Sequence, residues 1–187
     1  MISVLETSFT PGPDPASSIV AADVALEADC TEAEAEAMLT ASWAMVEAFT
    51  GTSYRAITAG KVIVKPACPI GFRWPRSPFP EALTVEAYAS GGWAPASARY
   101  IPDAGIIDLE PGTLYRLTQE GEVPGALVTP GVVQAVHNLA LYQLIHAPSR
   151  REFKSQASGD FSFSREALMP VFRGSGAGAL LAGEVRI

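Results

Sequence analysis

The side chains that could do chemistry in this chain are few, and their spacing brings no reactive pair together. The only histidines, His137 and His146, lie nine residues apart in one predicted helix. Because nine steps of about 100° leave them half a turn apart, the two imidazoles cannot bind one metal ion. The cysteines, Cys30 and Cys68, lack the spacing of a zinc site and are expected to be reduced thiols. A cysteine–histidine dyad with His137 would need a third group to orient the imidazole, and the sequence supplies none.

Other motifs with a chemical use are incomplete. The glycine-rich run GSGAG at 174–178 lacks the Lys-Ser or Lys-Thr that completes a phosphate-binding loop. Trp43, Trp74 and Trp93 are expected to anchor a core or an interface, because basic residues are interleaved with aromatic ones only around Arg73 and Arg76. We therefore predict no catalytic residue, no metal site and no cofactor, and expect a protein that is not an enzyme.

Charge is distributed unevenly along the chain, whose net charge is −7. Residues 1–50 hold nine acidic side chains and no lysine or arginine, whereas residues 149–187 hold six basic against four acidic side chains. The acidic N-terminal part argues against tight, phosphate-driven DNA binding there. The two ends could attract one another between copies of the chain, or the acidic side chains could form an ordinary solvated helix face.

One predicted helix has a clear beginning and a clear end. Thr31 and Glu34 have the pattern of a capping box, and Gly51 stands where a left-handed residue ends a helix. An apolar stripe lies between them, formed by Met38, Ala41, Met45 and Phe49 and flanked by Leu39 and Val46. The buried face carries no candidate nucleophile, base or metal ligand. The sequence therefore predicts a packing helix from Glu32 to Thr50.

A shorter helix is expected before it, over residues 17–28, with Ile19, Ala22 and Leu26 facing inward. Residues 1–16 are expected to form an irregular lead-in, because they contain three prolines and a glycine near their end.

A second long helix is predicted at 129–147. Thr129 is its cap, and Pro130 occupies the first position, where a missing backbone N–H costs nothing. Pro148 is expected to end it.

Between the long helices the apolar pattern alternates with period two, which indicates strands. The predicted strands lie within residues 56–120, at 61–65, 83–88, 99–101, 105–110 and 114–118. Residues 68–80 contain four prolines and are expected to form a long loop, since they cannot be a central strand. The sequence thus predicts an α+β protein, a small helical bundle with an inserted antiparallel β unit.

Residues 1–148 are expected to form the core, with helices at 17–50 and 129–147 and the β insertion at 56–120. Residues 149–187 are predicted to be an extended C-terminal arm, because the density of core-forming residues drops there. Exposed apolar residues on such an arm usually indicate a partner surface. The alternative is a tail that folds back onto its own core. No apolar run is long enough to cross a membrane, and the N-terminus lacks the basic region of a signal peptide.

Two segments resemble a known family. SSIVAADVALEADCTEAEAEAMLTASWAMVEAFTGTSYR is similar to the opening of the head–tail connector (adaptor) proteins of long-tailed phages, in which an acidic link joins a short helix to a longer one that ends in an E-x-x-T-G-type turn. That turn is Glu47 to Gly51 here. VPGALVTPGVVQAVHNLALYQLIHAPSR resembles the family's proline-initiated helix. The resemblance covers the first 55 residues and residues near 122–148, and is closest to the adaptors of phage-derived gene transfer agent particles.

The resemblance implies a structural protein of the virion or of a phage-like particle, located in the neck and assembled in the bacterial cytoplasm. In this family a ring of about twelve copies forms beneath the portal protein, joins the capsid to the tail and continues the DNA channel. The implied partners are the portal, further copies of the chain, the next tail-ward ring (a stopper or head-completion protein), and double-stranded DNA that passes without sequence-specific binding. No membrane is involved. The alternative is a small cytoplasmic enzyme or a monomeric binding module with no recognisable site.

The C-terminal arm is the predicted portal-binding element, because a basic and apolar segment can order on an acidic, grooved partner. Its expected contact residues are Arg150, Arg151, Phe161, Phe163, Arg165, Leu168, Phe172, Arg173, Leu180 and Leu181.

Overall fold

The computed structural model describes residues 2–15, 19–150 and 165–185. The chain forms two compact units. We call Met1–Pro13 with Arg55–Ala126 the β unit, and Asp14–Tyr54 with Leu127–Ile187 the helical unit. The predicted α+β class is confirmed, because the described residues form both helices and antiparallel sheets. The predicted domain boundary at residue 149 stays a prediction.

The helical unit contains the helices of the described residues. They are α1 (Ala21–Ala28), α2 (Glu32–Thr50), α3 (Pro130–Arg150), α4 (Arg165–Gly174) and α5 (Ala177–Leu180). Helix α2 packs against α1, α3 and α4, and α5 packs against α3. Helix α3 runs two residues past Pro148, which was expected to end it. A proline so near a helix end removes only one hydrogen bond of the last turn.

The predicted capping box of α2 is confirmed. The Glu34 carboxylate accepts from the Thr31 backbone N–H at 3.0 Å, and the Glu34 N–H donates to the Thr31 hydroxyl at 3.3 Å. Gly51 ends the helix in the left-handed region, with φ 71°. The buried face includes Glu47, so the expectation that it carries no candidate base is wrong. The Glu47 carboxylate accepts a hydrogen bond from the Tyr54 backbone N–H at 2.9 Å.

Helix α1 faces its neighbours with a different side from the one predicted. Ala22 and Leu26 were expected to face inward, but both are exposed, and Leu26 is 85% exposed. Val24 and Ala25 are buried instead. The alternative faces of this short helix are similarly apolar in sequence, and the smaller side chains allow α1 to lie close to α2 and α3.

The β unit contains two antiparallel sheets, with strand orders β1-β2-β8-β4-β5 and β3-β7-β6. The strands are β1 (Ile2–Pro11), β2 (Ile57–Pro66), β3 (Ile70–Arg73), β4 (Leu83–Ala89), β5 (Gly92–Pro95), β6 (Tyr100–Ile101), β7 (Ile106–Leu109) and β8 (Tyr115–Gln119). A short 3-10 helix, Pro102–Ala104, follows β6. Side chains of both sheets form one core, which includes Val62, Leu117, Phe72, Trp74 and Ile107.

Two loop predictions in the β unit are wrong. Residues 2–11 form the edge strand β1, paired along its length with β2, rather than an irregular lead-in. Its only proline is Pro11, at the strand end, where a missing N–H is tolerated. Within the predicted loop 68–80, residues 70–73 form β3, which lies between Pro69 and Pro75. Strand β3 is an edge strand, as the prolines require.

We expect Met45→Asp to destabilise the helical unit by roughly 4 kcal/mol or more, because it places an unpaired carboxylate at a buried position of α2. Urea denaturation followed by helical circular dichroism measures the loss. Met169→Asp is the matched control, since Met169 is 44% exposed on α4. Equal stability of the two variants would show that this face of α2 is not buried.

Candidate interaction surfaces

The histidines lie in different surroundings. His137 on α3 has its Nε2 3.6 Å from a Glu27 carboxylate oxygen on α1, whereas the ring of His146 packs 4.6 Å from the Tyr142 ring. In the described part of the chain, no three His, Cys, Asp or Glu side chains form a group that could hold a metal ion.

The described end of the tail is folded against the helical unit rather than extended. The Phe172 ring of α4 stacks face to face on Phe49 of α2, with centroids 4.1 Å apart and planes 11° apart. A side chain at Gly174 would collide with the Tyr142 hydroxyl of α3, so any larger residue there would require the Tyr142 ring to shift. The hydroxyl of Thr129, the cap of α3, lies 3.1 Å from the Glu184 carboxylate. Residues 165–185 thus match the alternative of a tail that folds back onto its own core.

Because of this packing, some of the predicted portal-binding residues are buried and others are exposed. Phe172 and Leu181 are buried in the helical unit, so they offer no surface to a partner, contrary to expectation. Arg173 and Leu180 are exposed. Arg150 is the last residue of α3, and Arg165 and Leu168 belong to α4. Arg151, Phe161 and Phe163 lie outside the described residues.

An acidic surface covers α1 and the first turns of α2. Its exposed carboxylates belong to Asp23, Glu27, Asp29, Glu32, Glu34 and Glu36. Residues 14–54 contain no lysine or arginine, so no such side chain within that segment offsets these charges. Exposed carboxylates of this density attract cations and repel other anions.

A small cleft lies between α1 and the first turns of α3. Its volume is about 170 Å³, and its lining residues are Ile19, Val20, Asp23, Val24, Val133, Gln134 and His137. The lining combines apolar valines with the polar side chains of Asp23, Gln134 and His137. Such a cleft is large enough for one side chain of a partner.

The β unit carries an aromatic and charged cluster that the sequence analysis missed. Arg116 on β8 makes two hydrogen bonds to the Glu86 carboxylate on β4, at 2.6 and 2.7 Å. The same guanidinium lies 4.7 Å from the centre of the Trp93 ring. Tyr88, which is 46% exposed, packs edge-on against Trp93. The cluster depends on the pairing of Glu86 with Arg116 across neighbouring strands, and that register is not visible in the sequence.

The hydrogen bonds of this pair shift the pKa values of both partners. The Arg116 guanidinium holds the pKa of the Glu86 carboxyl below its ordinary value, and the carboxylate in turn raises the pKa of Arg116. Elsewhere in the β unit, burial raises the pKa of Tyr100 to about 12, and its hydroxyl donates to the Pro80 carbonyl at 2.7 Å. Glu86 and Arg116 therefore stay charged at neutral pH, and Tyr100 stays neutral.

Within residues 2–15, 19–150 and 165–185, no helix combines the length and apolar character needed to cross a bilayer. Comparison with protein families, characterised proteins and solved structures finds no match to this chain.

We expect Leu181→Ala to lower the free energy of unfolding of the helical unit by about 2–4 kcal/mol, because it leaves a cavity where a fully buried side chain stood. Leu180→Ala is the matched control, since the neighbouring leucine is 40% exposed and should cost roughly 1 kcal/mol or less. Chemical denaturation measures both losses. Equal losses would show that the end of the tail is not docked.

We expect Arg116→Gln to raise the pKa of Glu86 towards its ordinary value, as measured by NMR titration of the side-chain carboxyl carbon. Because the folded-state pKa of Glu86 is depressed, the pair stabilises the fold above the unfolded-state pKa. That contribution is lost as the pH falls through the folded-state pKa. The stability difference between wild type and variant should therefore shrink on acidification. Arg99→Gln, at an exposed arginine of the same unit, should leave the pKa of Glu86 unchanged.

Proposed function

We propose that this protein is a structural head–tail adaptor, which forms a ring beneath the portal, joins the capsid to the tail and continues the DNA channel. The observation that carries the proposal is the acidic surface at the start of α2, where Glu32, Glu34 and Glu36 are exposed and where residues 14–54 contain no lysine or arginine. A channel wall for packaged DNA must not hold the phosphate backbone, and exposed carboxylates meet that requirement by repelling it. The resemblance of the segments that form α2 and α3 to adaptor helices supports the same function.

The order of elements also supports an adaptor. Each copy contains a helical unit whose chain is interrupted by the β insertion. Two compact units of this kind can present separate surfaces to neighbouring proteins. The ring, of about twelve copies, would sit between the portal and the next tail-ward ring, a stopper or head-completion protein. Its place is the neck of a virion or phage-like particle assembled in the bacterial cytoplasm.

Contact with the portal would come from the basic part of the tail. Of the ten residues predicted for this role, Arg173 and Leu180 are the exposed ones whose side chains the structure describes. Arginine suits such a contact, because its guanidinium can make two parallel hydrogen bonds to a carboxylate of the partner. The buried Phe172 and Leu181 would instead hold α4 and α5 in place on the helical unit.

A monomeric binding module is the second candidate. The cluster of Tyr88, Trp93 and Arg116 favours it, since these residue types are enriched where binding energy is concentrated. Mass measurement of the purified protein and of protein bound to portal-bearing particles separates the two functions. A module remains a monomer in both settings, whereas an adaptor forms a ring on the particle.

Deletion of the gene for this protein should yield particles with detached tails and with heads that are filled with DNA or leak it, because nothing then joins portal to tail. Electron microscopy of the particles measures the defect, and resupply of the wild-type protein should restore tailed particles. Images of intact particles should contain a ring of this protein between the capsid vertex and the tail. Normal tailed particles made in its absence would refute the adaptor function.

A further inference from the structure

The exposed side of α1 combines apolar and acidic side chains in an unusual way. Val20 and Leu26 are 53% and 85% exposed, and Asp23 and Glu27 lie beside them. Asp23 lies three positions after Val20 and three before Leu26, and Glu27 follows Asp23 by four, so Asp23 connects these exposed side chains into a single surface, which we call the α1 patch. The cleft between α1 and α3 adjoins it, with Val24 and Val133 among its lining residues.

We propose that the α1 patch binds the basic segment of residues 149–154, SRREFK, of a second copy of this chain. Arginine and lysine carry long apolar stems that cover apolar surface while their charged ends reach a carboxylate. One such stem fits the cleft against Val20 and Val24, with its charge at Asp23. Phe153 of the segment supplies the apolar group that covers Leu26. This contact rests on the proposed function in one respect, which is that both require more than one copy of the chain.

The basic segment is chosen as the binding partner because its charge is opposite to that of the α1 patch. Residues 14–54, which contain the α1 patch, hold eight acidic side chains and no lysine or arginine. Residues 150–154 hold three basic side chains, Arg150, Arg151 and Lys154, against Glu152, which is the densest run of positive charge in the sequence. Opposite charges steer two copies towards one another and fix their register.

The geometry of α3 keeps Arg150 and Arg151 away from the cleft of their own copy. His137 lines the cleft, and Arg150 stands thirteen residues further along the same helix. At 1.5 Å per residue, that separation is about 20 Å along the axis, which exceeds the length of an arginine side chain. The next residue, Arg151, can shorten the distance by only about 3.6 Å. Neither arginine can therefore reach the cleft of its own copy.

The α1 patch and the basic segment are different surfaces, so the contact is heterologous. A heterologous contact repeated from copy to copy closes into a ring when its rotation permits, and otherwise extends as a filament. The contact thus identifies which surfaces of neighbouring copies would meet in an assembly.

Charge reversal with rescue tests the contact in the purified full-length protein. Asp23→Arg alone and Arg151→Glu alone should each weaken self-association about tenfold in sedimentation equilibrium at low salt, and high salt should weaken the wild type. The double variant should restore association to within about twofold of wild type, because the pair is re-formed with its charges exchanged. Glu110→Arg, at an exposed acid of the β unit, is the control for the change in net charge and should have no effect.

A pair of leucines tests the apolar part of the contact. Leu26→Asn should weaken self-association about threefold, whereas Leu127→Asn should leave it unchanged, although Leu127 is equally exposed at 87%. Carbodiimide treatment of a mixture of ¹⁴N- and ¹⁵N-labelled protein gives a direct readout. It should produce an amide bond between Lys154 of one copy and Asp23 or Glu27 of the other.

Several results would overturn the proposal. One is a wild-type protein that stays monomeric with no cross-link between copies, and another is a double variant that associates no better than the single ones. A third is an Asp23→Arg variant that associates normally but no longer enters particles, which would assign the α1 patch to another particle protein. Images of particles decide the adaptor function separately, since a ring can be present whether or not this contact holds it.

Discussion

The burial of α2 is the constraint on which the rest of the helical unit depends. This helix contacts α1, α3 and α4, and it is enclosed on so many sides that polar groups are buried with its apolar ones. The structure satisfies them locally. Gln143 of α3 donates a hydrogen bond to the Ser42 hydroxyl at 3.3 Å, and Glu47 accepts one from the Tyr54 backbone N–H. A helix enclosed in this way cannot rotate or shift without breaking those bonds, so it fixes where its neighbours lie.

The fold of the tail follows from this enclosure. The Phe172 ring stacks on the Phe49 ring of α2, and Leu181 is fully buried in the helical unit. The apolar residues of a basic and apolar tail can be covered either by a partner protein or by the rest of their own chain. Here Phe172, Ala177 and Leu181 are buried within their own chain, whereas Arg173 and Leu180 remain exposed for contacts with other molecules.

The two units differ in how their charged side chains are arranged. In the β unit, strands hold opposite charges beside one another, as with Glu86 and Arg116, or with Lys61 and Glu6, whose ammonium and carboxylate are 2.5 Å apart. In the helical unit, α1 and the start of α2 present exposed carboxylates that no lysine or arginine of residues 14–54 offsets. Uncompensated charge of one sign favours approach of the opposite sign and repels the same sign. An adaptor that passes DNA through its centre and binds basic segments would use both properties.

The sequence by itself determined the features that depend on neighbours within a few positions. The bounds of α2 follow from the capping box at Thr31 and the left-handed Gly51, and the start of α3 follows from Thr129 and Pro130, because these signals act through local hydrogen bonds and dihedral angles. Only the tertiary structure decided that Leu26 faces solvent, that residues 2–11 pair as an edge strand, that Glu86 meets Arg116, and that Phe172 is buried. Each of these depends on a partner from a distant part of the chain, and a sequence pattern shows which side chains are apolar but not which neighbour will cover them.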